Sequence, residues 1–227
     1  MLEELKQEVF KANIELVKQG LVIHTWGNVS GRDPESGLVV IKPSGLSYKR
    51  MKPVDMVVID PDGKVVEGDY KPSTDAPTHL LIYKTYGSVG GIVHTHSAFA
   101  TAWAQAGKDI PPLGTTHADH YVGAVPCTRM LTEEEINSDY EINTGKIIIE
   151  RMEGIEPLSV PSVLVNCHGP FCWGHDTAAA VYNAVALEEI ARIAFYTVLL
   201  GKSDPANKFL LDKHFRRKHG KDAYYGQ

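Results

Sequence analysis

His94 and His96 stand two residues apart in Gly90-Gly-Ile-Val-His-Thr-His96, a segment with the apolar run of a buried strand. On a strand, residues two apart leave the same face with Cα atoms ~6.6 Å apart at ~3.3 Å rise per residue, so the two imidazoles can converge on one cation. A catalytic zinc takes three protein ligands and keeps a position for substrate, which calls for a third histidine. His168, ahead of Gly169-Pro170 at the end of a second apolar segment that starts at Ser162, is the best placed. An H-x-H pair also occurs as hydrogen-bonded core or surface histidines, and three imidazoles accept Mn²⁺ or Co²⁺ as well as Zn²⁺. Cys167 precedes His168, but strand alternation sends the two side chains to opposite faces, so it is not counted as a ligand. The other seven histidines, His24, His79, His117, His120, His175, His214 and His219, scatter over helix and loop positions and read mostly as structural or solvated.

Three clusters of small residues suit an anion: Gly27-Asn28, Ser44-Gly45 after Lys42-Pro43, and Ser73-Thr74 just before a helix predicted to start near Asp75. Glycine admits close backbone N–H groups, hydroxyls donate, and a helix N-terminus carries partial positive charge. Each cluster alone also reads as an ordinary turn or cap. Asp75, Asp119 and Tyr225 are candidate acids or bases, with plain alternatives as a helix cap, a partner of a neighbouring histidine and a chain end. No GxGxxG or P-loop is present, which removes the usual sign of a dinucleotide or ATP.

Positioning these groups falls to a chain of 227 residues, a length that favours one domain with its own core. Its 43% hydrophobic and 22% charged residues, with 20 Gly and 13 Pro, exclude disorder, collagen and coiled coil. With 23 basic against 28 acidic residues the net charge is −5, so nothing favours a nucleic-acid or anionic-membrane partner, and a bound phosphate must be held locally. No apolar run approaches the ~18–20 residues that cross a bilayer, and Met1-Leu-Glu-Glu-Leu-Lys6 is charged where a secretory leader is apolar. Three irregularly spaced cysteines, Cys127, Cys167 and Cys172, fit a reducing compartment, so the expected location is the cytoplasm.

Leu2, Leu5, Val9, Ala12, Leu16 and Val17 follow helical spacing up to Gly20 and predict an opening helix. Leu21 to Ile23, Gly37 to Ile41 and Met56 to Ile59 read as short strands, and Asp60-Pro-Asp-Gly63 as the turn of a hairpin into Lys64-Val-Val66. Helical spacing returns over Asp75 to Tyr86, and an Ala-rich helix follows His96 to about Gln105. Thr132-Glu-Glu-Glu135 fits a capping box, Asp176 an N-cap for a long helix to about Leu200, and a last helix is predicted near Asn207 to His219. With no repeat, linker or strict βαβ alternation, the expected fold is α/β: one domain, 1–227, built on a mixed, largely antiparallel sheet flanked by helices.

Six segments carry a family resemblance: Thr25-Trp-Gly-Asn-Val-Ser30, Ile41-Lys-Pro-Ser-Gly45, Lys71-Pro-Ser-Thr-Asp75 with Pro77-Thr-His79, Gly91-Ile-Val-His-Thr-His96, Gly114-Thr-Thr-His-Ala-Asp119, and Asp212-Lys-His-Phe to Tyr224-Tyr-Gly-Gln227. Together they resemble, essentially end to end, the epimerase branch of the class II aldolase family. The resemblance implies interconversion of L-ribulose 5-phosphate and D-xylulose 5-phosphate by zinc-assisted retro-aldol cleavage and re-addition, a reaction of arabinose and of ascorbate catabolism. It implies zinc on His94, His96 and His168, with Asp75 as an additional metal-site carboxylate where related aldolases have glutamate. Gly27, Asn28, Ser44, Gly45, Ser73 and Thr74 match the substrate and phosphate cradle; Thr74 replaces a usual serine and keeps the hydroxyl. Asp119 and Tyr225 match the acid/base pair, Tyr225 reaching in from a neighbouring subunit, and His214 resembles a residue of that same interface. A homotetramer with active sites between subunits follows. Two other readings share the scaffold: a sugar-phosphate aldolase such as L-fuculose-phosphate aldolase, which releases the aldehyde, and a non-enzymatic module like the adducin head region, which lacks the metal histidines.

Overall fold

The computed structural model describes residues 1–220 and 223–225. Among them the strands are Gly27–Arg32 (β1), Val39–Ile41 (β2), Val57–Ile59 (β3), Val65–Glu67 (β4), Gly91–Thr95 (β5), Ser162–Val165 (β6) and Gly169–Gly174 (β7). The α-helices are Glu3–Lys18 (α1), Ala76–Thr85 (α2), Ala98–Gln105 (α3), Thr115–Ala118 (α4), Glu133–Asn137 (α5), Tyr140–Arg151 (α6), Thr177–Leu199 (α7) and Lys208–Lys218 (α8). The strands form one sheet in the order β4-β3-β2-β1-β5-β7-β6. Every neighbouring pair is antiparallel, and parallel pairing is limited to an isolated bridge between Cys127 and Leu164. The sheet expected as largely antiparallel therefore has wholly antiparallel ladders.

Strand β1 shows how the two faces differ. Asn28 and Ser30 turn toward α2, where Ser30 Oγ lies 2.8 Å from both His79 Nδ1 and Tyr83 Oη. Val29 and Gly31 turn the other way, toward α1 and α7: the Val29 N–H donates to Asn13 Oδ1 at 3.0 Å, and a Cβ on Gly31 would lie 2.8 Å from the Thr177 methyl. Helices α1, α3 and α7 thus cover one face, and α2, packed on α6, covers the other. All five residues of β5, at the centre of the sheet, are buried. The long helix α7 starts where expected, with Asp176 Oδ1 accepting from the Ala179 N–H at 2.7 Å, a cap worth about 1 kcal/mol.

Two expectations need correction. Leu21 to Ile23 forms no strand, because Leu21 belongs to the C-terminal cap of α1. Its N–H bonds the Leu16 carbonyl at 3.0 Å while the Gly20 N–H bonds Val17 at 3.1 Å, with Gly20 at φ +70°. That pair of bonds is the Schellman motif. The segment starting at Ser162 ends as a strand at Val165, and His168 sits in the turn to β7 instead of on the strand. Strands β1 and β7 were not anticipated. Gly-Asn-Val-Ser-Gly-Arg and Gly-Pro-Phe-Cys-Trp-Gly lack the β-branched alternation of a typical strand, and tertiary packing selects glycine at Gly31 over a strand former. Helix α6 was also missed, since Thr144 and the Ile147-Ile-Ile149 run have modest helix propensity.

Candidate active site

Three elements deliver the three histidines. His94 is in β5, paired across the ladder with Asn28 on one side and Phe171 on the other. His96 follows the end of β5, and His168 follows Cys167, whose left-handed φ of +61° turns the chain between β6 and β7. Ring centroids are 5.0 Å apart for His94 and His96, 4.7 Å for His94 and His168, and 5.0 Å for His96 and His168. One nitrogen from each lies within 4.8 Å of the others, the only such group of three His, Cys, Asp or Glu found among the described residues.

The chemistry of this donor set fits a divalent ion. His94 Nδ1 lies 3.0 Å from the Pro170 carbonyl, which only accepts, so the proton is on Nδ1 and Nε2 keeps its lone pair. His94 Nε2 and His96 Nε2 are 3.2 Å apart. Two nitrogens bound at 2.0–2.1 Å to one tetrahedral ion would be roughly 3.3–3.4 Å apart, a close match. Burial, reinforced by His94 and His96, pushes His168 down to about 3, and burial likewise lowers His96, so both are neutral near pH 7 and able to ligate. The Tyr140 hydroxyl stands 3.3 Å from His168 Nδ1 and orients that ring.

Asp75 occupies the N-cap position of α2 but caps nothing with its side chain. Its Oδ2 instead accepts from Asn28 Nδ2 at 2.6 Å and Ser73 Oγ at 3.3 Å. Burial alone would raise its pKa, but His94, His79 and the Asn28 amide outweigh this and hold the carboxyl below its usual range. The structural alternative of a cap is therefore set aside. Asn28 Oδ1, by contrast, is buried without a partner.

The three histidines, Asp75 and the small-residue clusters Gly27-Asn28, Ser44-Gly45 and Ser73-Thr74 line one cleft of about 580 Å³. Gly27 has φ +155°, and a Cβ there would come within 2.9 Å of the His94 carbonyl, so only glycine lets β1 start this close to the ligand strand. Lys42 and Tyr140 also line the cleft and were given no role from sequence. Lys42 is the cleft's cationic side chain, 2% exposed, with Nζ bonded to the Pro43 carbonyl at 3.1 Å and 4.9 Å from the Tyr48 ring centre. Burial pushes it down to about 8, against the opposing pull of Asp75. Its signal was a lysine closing the apolar run of β2; Tyr140 gave none, because its helix was not anticipated. A groove of about 700 Å³ beside α3 and α7 is larger, but its lining of Trp103, Phe195, Val198 and Leu199 offers no comparable convergence of polar groups.

Asp119, His214 and Tyr225 are not in the cleft. They meet in a second cluster where α4 packs on α8. Arg217 grips Asp119 with both Nε (3.1 Å) and Nη2 (2.8 Å), and His214 Nδ1 adds a contact at 3.1 Å. Burial would raise Asp119, but Arg217 and then His214 prevail and keep it ionised below the ordinary carboxylate range. Tyr225 packs its ring 4.2 Å from the Arg217 guanidinium carbon. Gly226 and Gln227, which close the motif of that segment, lie outside the described residues, as do Lys221 and Asp222.

Residues 7–195 match the class II aldolase and adducin N-terminal domain family. Over all 227 residues, and the full length of each relative, the chain is 58% identical to the L-ribulose-5-phosphate 4-epimerase UlaF of Salmonella paratyphi B (strain ATCC BAA-1250 / SPB7) and of Salmonella typhi. Among solved structures it is similar to an L-fuculose 1-phosphate aldolase, with a TM-score of 0.81, 27% identity, and coverage of 94% of this chain and 95% of the other.

Proposed function

The chain belongs to the class II aldolase and adducin N-terminal domain family, and from that premise we propose that it is an isomerase that interconverts L-ribulose 5-phosphate and D-xylulose 5-phosphate. The observation that carries this reading is the single cleft in which three imidazoles, the Asp75 carboxylate and a cradle of hydroxyls around Lys42 converge. Identity of 58% along the whole chain to curated 4-epimerases supports the choice of substrate.

Inverting carbon 4 by removing its hydrogen is difficult, because that hydrogen is not α to the carbonyl at carbon 2. Breaking the bond between carbons 3 and 4 avoids the difficulty. His94, His96 and His168 would hold a divalent ion, with Asp75 close by. When bound, the ion supplies a Lewis acid for negative charge gathering on the sugar's oxygens, worth several kcal/mol; zinc suits the donors, and Mn²⁺ or Co²⁺ are alternatives. Ser44, Gly45, Ser73 and Thr74 anchor the phosphate, and Lys42 supplies the positive charge in the cleft of a chain whose net charge is −5. The free Asn28 Oδ1 accepts from a substrate hydroxyl.

The 4-oxygen points oppositely in the two epimers, so two acid/base groups on opposite sides must take and return its proton. Asp119 and Tyr225 are assigned these roles, with His214 beside them. Because one chain keeps that cluster outside its own cleft, a second copy brings it there, which supports a homo-oligomer, read as a tetramer with shared sites. We place the enzyme in the cytoplasm as a single domain.

The test is formation of D-xylulose 5-phosphate from L-ribulose 5-phosphate, with and without a chelator, repeated in heavy water. Product is expected only with metal, and without deuterium at carbon 4. The aldolase reading, favoured by the structural likeness to L-fuculose 1-phosphate aldolase, replaces this one if free aldehyde accumulates and no D-xylulose 5-phosphate forms. Deuterium at carbon 4 overturns the cleavage mechanism.

A further inference from the structure

Trp26 lines the mouth of the cleft with 55% of its surface exposed. The other two tryptophans are anchored: Trp103 donates its indole N–H to the Ala191 carbonyl at 3.0 Å, and Trp173 to the Pro157 carbonyl at 2.7 Å. The Trp26 indole has no such partner among the described residues. Its backbone is nonetheless fixed. The Trp26 N–H bonds the Ile23 carbonyl at 3.1 Å and the Gly27 N–H bonds Thr25 at 3.0 Å. His24 adopts φ +55°, unusual for a residue with a side chain, and its ring meets the Trp26 indole edge-on at 5.5 Å. The ladder pairs Asn28 with His94 and ends at Gly27 with Thr95, so Trp26 directly precedes the strand that pairs with the ligand strand, and it lines the same cleft as His96. A large aromatic is thus held by a strained turn at the edge of the cleft, packed edge-on against His24 but more than half open to solvent and with no hydrogen-bond partner for its indole N–H among the described residues.

The chemistry of the preceding subsection, on which this inference rests, creates a need at that position. When the bond between carbons 3 and 4 breaks, the 4-hydroxyl proton passes to the base and the electron pair stays with carbon 3. The two-carbon aldehyde must then turn its other face without leaving. Water that reaches carbon 3 protonates it, and turnover ends in one dihydroxyacetone and one glycolaldehyde phosphate, with no oxidant or reductant involved. We propose that Trp26 is a retention residue: its indole closes the mouth of the cleft over the detached aldehyde, so that recombination outruns escape and protonation.

The experiment measures free glycolaldehyde phosphate against D-xylulose 5-phosphate during turnover of L-ribulose 5-phosphate by metal-loaded protein, with metal content determined in parallel. Trp26→Ala is expected to raise the ratio of cleavage to epimerisation tenfold or more at unchanged metal content, and Trp26→Phe to restore most of the wild-type ratio. An unchanged ratio in Trp26→Ala overturns the proposal while leaving the epimerase reading intact. A wild-type protein that forms no D-xylulose 5-phosphate instead defeats the epimerase reading. A second readout needs no truncated side chain: glycolaldehyde phosphate added to the metal-loaded wild type should shift indole emission to the blue, a shift absent in Trp26→Phe. No shift in the wild type, or the same shift in both proteins, overturns the proposal.

Discussion

The cleft and the α4–α8 cluster both gather histidine and carboxylate, but they are built in opposite ways. In the cleft, His94 comes from a strand buried along its whole length and His168 from the turn between two strands of the same sheet. The sheet sets their spacing, and burial keeps His96 and His168 neutral. In the cluster, the groups around Asp119 come from α8, a helix with no buried residue, and the carboxylate is already occupied by Arg217 and His214. A cage of converging imidazole nitrogens suits a cation that stays in place. A charged carboxylate largely covered by Arg217 and His214 is the group proposed to exchange a proton with a site on another copy. The comparison teaches that one chain by itself gathers a histidine cluster able to hold a metal, whereas the acid/base roles proposed for Asp119 and Tyr225 call for a second copy.

Removing a ligand from the rigid region should have the largest effect. His94→Ala is expected to lose stoichiometric metal and to lower epimerisation by on the order of 10³-fold or more, measured by metal analysis and a coupled assay for D-xylulose 5-phosphate. Full activity without metal would break the assignment of the cleft. Asp119→Asn should keep its metal and lose about 10²–10⁴-fold in rate. If the cluster serves a neighbouring copy, refolding or exchanging subunits of His94→Ala with Asp119→Asn should recover activity, because some cleft–cluster pairs then contain no substitution. In equal random mixing roughly one quarter of the sites are intact. No recovery would mean that cleft and cluster act within one chain.

A smaller effect is expected at Lys42, whose charge is proposed to bind the substrate without taking part in bond breaking. Lys42→Met should raise KM about tenfold or more while kcat changes less, the signature of lost uniform binding. Burial holds Lys42 at about 8. Below that pH the ammonium is present and attracts phosphate; as pH rises through it the proton is lost, so KM should climb. Arginine stays charged over the whole range, so Lys42→Arg should flatten the climb. A KM of wild type that is flat from pH 7 to about 9 would remove Lys42 from phosphate binding.

The same contrast explains what the sequence made legible. His94 and His96 were readable because strand periodicity is local: two residues apart means one face. The motif singled out His168, and the structure brings its ring beside His94 and His96, although its position in a turn, created by Cys167 in a left-handed conformation, has no periodic signal. Helices α1, α3 and α7 were visible through spacing and caps. Strand β1 was not, because Gly31 answers to crowding by Leu5, Val9 and Thr177, residues distant in sequence. The family motif supplied Asp119 and Tyr225, but nothing in their spacing revealed Arg217 closing over both. Lys42 was in plain view in a quoted motif, and only its burial beside Asp75 marks it out.

The smallest expected effect tests the physical basis of the comparison, namely that the cleft belongs to the globally stabilised sheet and the cluster to a locally stabilised helix. Helix α7 packs on β5 and β7, and Asp176 caps its first turn. Asp176→Ala should therefore cost about 1 kcal/mol of global stability. Amides of β5 are buried at the centre of the sheet and exchange with solvent only through global opening, so their exchange should accelerate about fivefold. Amides of α8 exchange through local opening that never disturbs α7, so theirs should not change. Hydrogen exchange followed by mass spectrometry reads both segments in one sample. Equal acceleration in α8 and β5 would show that the cluster is welded to the core, and a helix so fixed in its own chain would not be free to serve a neighbour's cleft.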